Sequence, residues 1–205
     1  MSAPADPRPR GGAPVGYLAE LSEVETAAVL AMRLWCAGET RQAQLWTEFA
    51  TLFGTRDGAA HLKGLEQMMV LIAGHSRRPV MRHRCACRCL GADEAVLARM
   101  IGAAAEGNRD EAALFAALLV RVEMATLLAA EAEVVAATLR LALMRGSGLR
   151  AEVFDPPGAP ETDAAETHAA GTDAPGTHAA GTHAAEAPAD IVPLAASHRA
   201  APTRH

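Results

Sequence analysis

Ser22-Glu23-Val24-Glu25-Thr26-Ala27-Ala28-Val29-Leu30-Ala31-Met32-Arg33-Leu34-Trp35-Cys36-Ala37-Gly38 reads as a helix with both ends marked. Ser22 and Glu25 stand at the spacing of a capping box, in which each side chain satisfies the other's otherwise orphaned backbone N–H. Val24, Ala28, Ala31 and Trp35 recur at helical spacing, and Gly38 fits the stop. The same grammar repeats downstream. A second helix is expected over residues 39–53, with Leu45, Trp46, Phe49, Leu52 and Phe53 as its apolar stripe and Gly54 as its end. Asp57 is positioned to cap a third, striped by Leu62, Leu65, Met69 and Ile72 and closed near Gly74. Gly91-Ala92-Asp93-Glu94 puts acid where a fourth helix dipole favours it. Asn108 and Glu111 form a capping box for a fifth helix, and a sixth is expected over residues 122–144 before Gly146. The fold class predicted is therefore all-α: a bundle of about six helices joined by short connections.

The expected boundaries are a flexible arm over residues 1–19, a helical domain over 20–150 and a disordered low-complexity tail over 151–205. Pro4, Pro7, Pro9 and Pro14 would obstruct regular pairing in the arm. In the tail, units such as Glu166-Thr-His-Ala-Ala and Gly176-Thr-His-Ala-Ala repeat every five residues and offer no aliphatic group beyond alanine. Such a repeat buries too little surface to offset chain entropy. His168, His178 and His183 are candidates for weak metal capture only.

One segment departs from helical patterning. Between Arg77 and Leu90 no acidic residue occurs, while Arg77, Arg78, Arg82, Arg84 and Arg88 surround His83, Cys85, Cys87 and Cys89. Extended, the segment would put Met81, His83 and the three cysteines on one side; as a helix it would pair His83 with Cys87 and Cys85 with Cys89. Either way thiols and an imidazole converge, and these are ligands that Zn²⁺ prefers. Tetrahedral coordination requires a bend, which Ala86 is small enough to permit. Cys36, on the first helix, is a remote fourth candidate. The spacing is not that of paired C-x₂-C knuckles, so three readings stand: a structural zinc site, a reactive thiol whose pKa the arginines depress, or cysteines that are merely small side chains.

Charge narrows the partners. Residues 1–150 carry 17 basic and 16 acidic side chains, and residues 151–205 carry 2 and 8. A near-neutral folded part is not expected to bind nucleic acid, whose proteins present a basic face. No apolar run is long and uninterrupted enough for a membrane span, and Met1–Gly16 lacks the apolar core of a secretory signal. A cytoplasmic location follows, where thiols stay reduced. Phosphate-binding glycine loops, H-E-x-x-H and G-x-S-x-G are absent.

Leu34-Trp35-Cys36 and the run from Met81-Arg82-His83 through Leu90-Gly91-Ala92-Asp93-Glu94 resemble an uncharacterised family of small helical proteins from alphaproteobacteria, over residues 20–145. The resemblance implies a cytoplasmic bacterial helical protein and no particular activity; Cys85 and the tail are departures from it. The leading expectation is a non-enzymatic protein that binds Zn²⁺ through Cys87, Cys89 and two of Cys36, His83 and Cys85. The alternatives are a redox sensor or oxidoreductase using Cys87 or Cys89, and a metal-free adaptor presenting its arginine patch to an acidic protein partner.

Overall fold

The computed structural model describes residues 10–150 and the backbone of 191–193. Among these residues there are six α-helices: α1 (Glu23–Cys36), α2 (Glu39–Phe53), α3 (Thr55–His75), α4 (Ala92–Ala105), α5 (Arg109–Leu119) and α6 (Val122–Met144). The all-α bundle is thus the observed class. Ser22 caps α1 as a full capping box, its backbone N–H donating to Glu25 Oε2 at 2.9 Å. Asn108 Oδ1 accepts from the Glu111 N–H at 3.3 Å to open α5. The start of α3 differs from expectation. Gly54, at φ 81°, ends α2 and begins α3 directly, so Asp57 lies in the first turn rather than at a cap.

α1 is the central element. Every residue from Ala27 to Leu34 is at most 2% exposed, because α4, α2 and α6 all pack against it. A helix covered on all sides reads as a nearly continuous apolar run, and Ala27–Met32 is one. α3 lies against α2 and α6, and α4 against α5 and α6. The α2–α3 corner is tight. A Cβ on Gly58 would lie 2.8 Å from the Phe49 carbonyl oxygen and 3.0 Å from the Ala50 Cα. Phe49 itself is 1% exposed, and its ring centroid is 5.8 Å from that of Phe53.

Four short strands join the bundle: β1 (Pro14–Tyr17), β2 (Met81–His83), β3 (Cys89–Gly91) and β4 (Ile191–Pro193). They make two antiparallel pairs, β1 with β3 and β2 with β4. β1 corrects the expectation of a flexible arm through residue 19. Tyr17 pairs with Cys89, Gly16 with Leu90 and Pro14 with Gly91, with an irregularity between Pro14 and Gly16. Pro14 opens the strand, a position where its missing N–H is tolerated. β4 lies within the expected tail, where Ile191–Pro193 is aliphatic sequence outside the repeat. The calls on residues 1–9, 151–190 and 194–205 lie outside the described residues.

These contacts separate two neighbouring glycines on α3. Gly58→Ala drives a methyl into backbone that cannot yield without moving α2, and is expected to cost about 1–3 kcal/mol. Gly64→Ala meets only Val134 Cγ1 at 3.5 Å, an ordinary contact, and gains helix propensity, so it is expected to be neutral or stabilising by up to about 1 kcal/mol. Urea unfolding of the two variants measures the contrast, and equal destabilisation would contradict the packing described.

Candidate functional site

The segment between α3 and α4 is neither a continuous strand nor a helix. β2 and β3 flank a turn in which the Cys87 N–H donates to the Arg84 carbonyl at 3.1 Å, with Cys85 and Ala86 as the turn residues. The bend expected near Ala86 is there. What fixes it is a residue the sequence reading did not single out. Arg33 on α1 is fully buried, and its guanidinium grips Glu94 at both carboxylate oxygens, Nε to Oε1 and Nη2 to Oε2, each at 2.7 Å. Its remaining N–H groups donate to loop carbonyls: Cys87 at 2.5 Å, Cys89 at 2.7 Å and Arg84 at 3.4 Å. Arginine's planar fork of five donors suits this task and lysine's point charge does not.

Glu94, also fully buried, gathers the other side of the loop. It accepts from the backbone N–H groups of His83 and Gly91, both at 2.9 Å, and its Oε2 lies 3.0 Å from His83 Nδ1. Burial alone would raise its pKa. The hydrogen bonds from His83, Arg33 and Gly91 with the Arg33 charge outweigh that, and the carboxyl falls from its ordinary 4.5 to about 2. Next to it Asp93 accepts from the Met81 N–H at 2.8 Å and takes the Arg78 guanidinium at 2.6 and 2.7 Å. Consecutive carboxylates at the start of α4 thus satisfy alternate N–H groups of β2. Gly91 has no room for a side chain, since a Cβ there would lie 3.0 Å from the His83 ring.

The cysteines fall into two pairs. Cys36, the last residue of α1 and 1% exposed, is an electrostatic neighbour of Cys85, and Arg82 reaches both. Cys87 is likewise an electrostatic neighbour of Cys89. None of the four forms a disulfide. His83 is turned to Glu94 through Nδ1. Among the described residues no three His, Cys, Asp or Glu side chains are gathered closely enough to hold a metal ion as they stand.

The expectation that the arginines depress the thiol pKa values needs correction at three positions. Burial dominates and pushes the Cys36 thiol up to about 12, with Arg82 opposing. Burial also raises Cys85, against Arg41, Arg82 and Arg33, and raises Cys87. Arg82 in the segment opposes the rise at Cys36 and Cys85, and Arg33 and Arg41 oppose it from α1 and α2. The arginine patch is likewise divided: Arg78 is paired with Asp93, and Arg82 is 4% exposed, donating to the Cys36 carbonyl at 2.6 Å. Arg82 Nε is buried without a hydrogen-bond partner.

Two sequence features mark these residues, though neither names its partner. Arg33 is the single charge in the apolar run Ala27–Cys36, and Glu94 lies in the first turn of a helix that opens at Gly91. Comparison of the chain with protein-family models, curated proteins and solved structures found no match. No helix of the described residues is long and apolar enough to cross a membrane.

Glu94 sets a pH dependence. With the carboxyl at about 2 folded and 4.5 unfolded, the unfolded chain binds more protons between those values, so stability rises with pH across that window. The full contribution, on the order of 3 kcal/mol, is present above about pH 4.5 and is lost as pH falls towards 2. Glu94→Gln should flatten this stretch of the stability–pH curve, followed by urea unfolding from pH 2 to 6. Arg33→Met, which leaves a buried carboxylate unpaired, should cost about 3–5 kcal/mol at neutral pH.

Proposed function

We propose that this is a non-enzymatic cytoplasmic protein in which Zn²⁺ staples the loop between α3 and α4 to the end of α1. The observation that carries the reading is the placement of four thiols at that one end. Cys36 is an electrostatic neighbour of Cys85, and Cys87 of Cys89, with the Cys87 and Cys89 carbonyls both held by Arg33. Cys87 and Cys89 are the first ligands, completed by Cys36 and Cys85. His83 is a weaker candidate because its Nδ1 is directed at Glu94, although a ligating histidine commonly gives its other nitrogen to a carboxylate. Binding requires the two pairs to close on one another, a movement of the Cys85–Cys89 turn.

Thiol electrostatics favour this over a reactive thiol. A nucleophilic or sensing cysteine needs a stable thiolate, and burial holds Cys36, Cys85 and Cys87 in the protonated form. A metal ion supplies the charge that drives deprotonation itself, so binding releases protons and couples to loop order. The second reading, a reversible Cys87–Cys89 dithiol, rests on their electrostatic coupling across one intervening residue. The alphaproteobacterial resemblance of residues 20–145 is a proposal alongside these, as is an acidic partner for the exposed Arg84 and Arg88.

Titration of the reduced protein with Co²⁺ tests the reading, because tetrahedral thiolate–cobalt complexes absorb characteristically. One equivalent of Co²⁺ displaced by Zn²⁺ is expected, with the band abolished in Cys87→Ser, Cys89→Ser and weakened in Cys36→Ser. Saturating Zn²⁺ at about 100 times Kd should add roughly 2.7 kcal/mol of stability. Absence of stoichiometric binding would refute the metal reading. Loss of exactly two thiols on mild oxidation, in the same metal-free protein, would then support the dithiol.

A further inference from the structure

β2 has two edges, and they are satisfied differently. On one, the N–H groups of Met81 and His83 donate to Asp93 Oδ2 and Glu94 Oε1 at 2.8 and 2.9 Å. In a strand successive N–H groups point to opposite sides, so the main-chain N–H and C=O of Arg82 face away from α4. That second edge is where β4 pairs, in the register Met81 with Pro193, Arg82 with Val192 and His83 with Ile191. Arg82 and Val192 are therefore the pair that exchanges both backbone hydrogen bonds, and Pro193 sits opposite Met81, where no N–H is called for. The described ladder is three residue pairs long.

We propose that this outer edge of β2 is a peptide-docking site for an extended aliphatic segment ending in proline, filled in cis by the chain's own Ile191–Pro193 as a tethered, displaceable strand. Three observations carry it. Without β4 the strand edge at Arg82 would be unpaired, and such an edge is a template for strand addition, the mode by which extended peptides join exposed sheet edges. Among the described residues β2 has no other strand paired to it, because β3 pairs with β1. The sequence between Arg150 and Ile191 is 40 residues of largely Ala, Gly and Thr repeat, with a reach of up to about 130 Å at full extension. A three-residue ladder is weak as a free peptide contact. Tethering raises its local concentration to about the millimolar range, enough to fill the edge while leaving it open to exchange. Occupancy is felt at the cysteines, since the Arg82 side chain holds the Cys36 carbonyl on the other side of the same residue.

The experiment reads single-residue amide exchange in the full-length protein. Val192→Pro removes the one N–H that Arg82 C=O receives from β4. In this variant the Arg82 amide is expected to exchange at least about tenfold faster, while Met81 and His83, held by Asp93 and Glu94, keep their rates and report an intact fold. A synthetic peptide spanning residues 187–196 should restore Arg82 protection in the variant, and should bind wild-type protein at least about tenfold more weakly because the tethered copy competes. Unchanged Arg82 exchange in Val192→Pro, or equal peptide binding to both proteins, would overturn the proposal. So would wild-type protection that falls on dilution, which would assign the strand to a second copy of the chain.

Discussion

A guanidinium and a carboxylate stripped of water hold the non-helical part of this protein together. Arg33 and Glu94 are both fully buried, one on the central helix and one at the start of α4. Removing two such charges from water costs several kcal/mol each, and their attraction offsets this only when the remaining donors and acceptors are also satisfied. Here they are. Arg33 spends its spare N–H groups on three loop carbonyls, and Glu94 spends its spare lone pairs on the His83 and Gly91 N–H groups. An apolar pair of the same volume would pack as well but would leave those backbone groups without partners in a dry interior. The interaction is best understood as specifying one loop conformation rather than as a source of net stability.

This explains how a segment with no apolar periodicity of its own is folded at all. Between Arg77 and Gly91 the fully sheltered aliphatic side chains are Val80, Met81 and Leu90. The turn that carries Cys85 and Cys87 is shaped instead from beneath by α1 and from behind by α4. Asp93 and Glu94 take the place of a neighbouring strand for β2, each oxygen standing where a ladder carbonyl would be.

Helices were legible because their signals are local. A capping box needs four residues, and a stripe needs three turns, so Ser22–Glu25, Asn108–Glu111 and the apolar faces of α2 and α6 could be read without knowing what they touch. The ion pair was not, since its partners are 61 residues apart and nothing at either position names the other. The strands were hidden for a related reason. β1 and β4 are a few residues each and acquire order only from β3 and β2, so prolines in the arm and repeats in the tail dominated their surroundings. The neighbouring of Cys36 with Cys85 and of Cys87 with Cys89 was not legible, and the thiol pKa shifts depend on burial that a loop composition rich in arginine concealed.

The opposite fates of β2 and β3 have a consequence for the order in which the protein is made. β3 pairs with residues synthesised before it, and all six helices are complete by Met144, yet β2 waits for a strand that begins at Ile191. At about 5–20 residues per second the interval from Met144 to Val192 is on the order of 2–10 s, far longer than a helical bundle needs to fold. During that time every newly made chain would carry an open strand edge next to its four reduced thiols. A cellular factor that meets the nascent protein in this window would find a surface that the finished chain keeps covered.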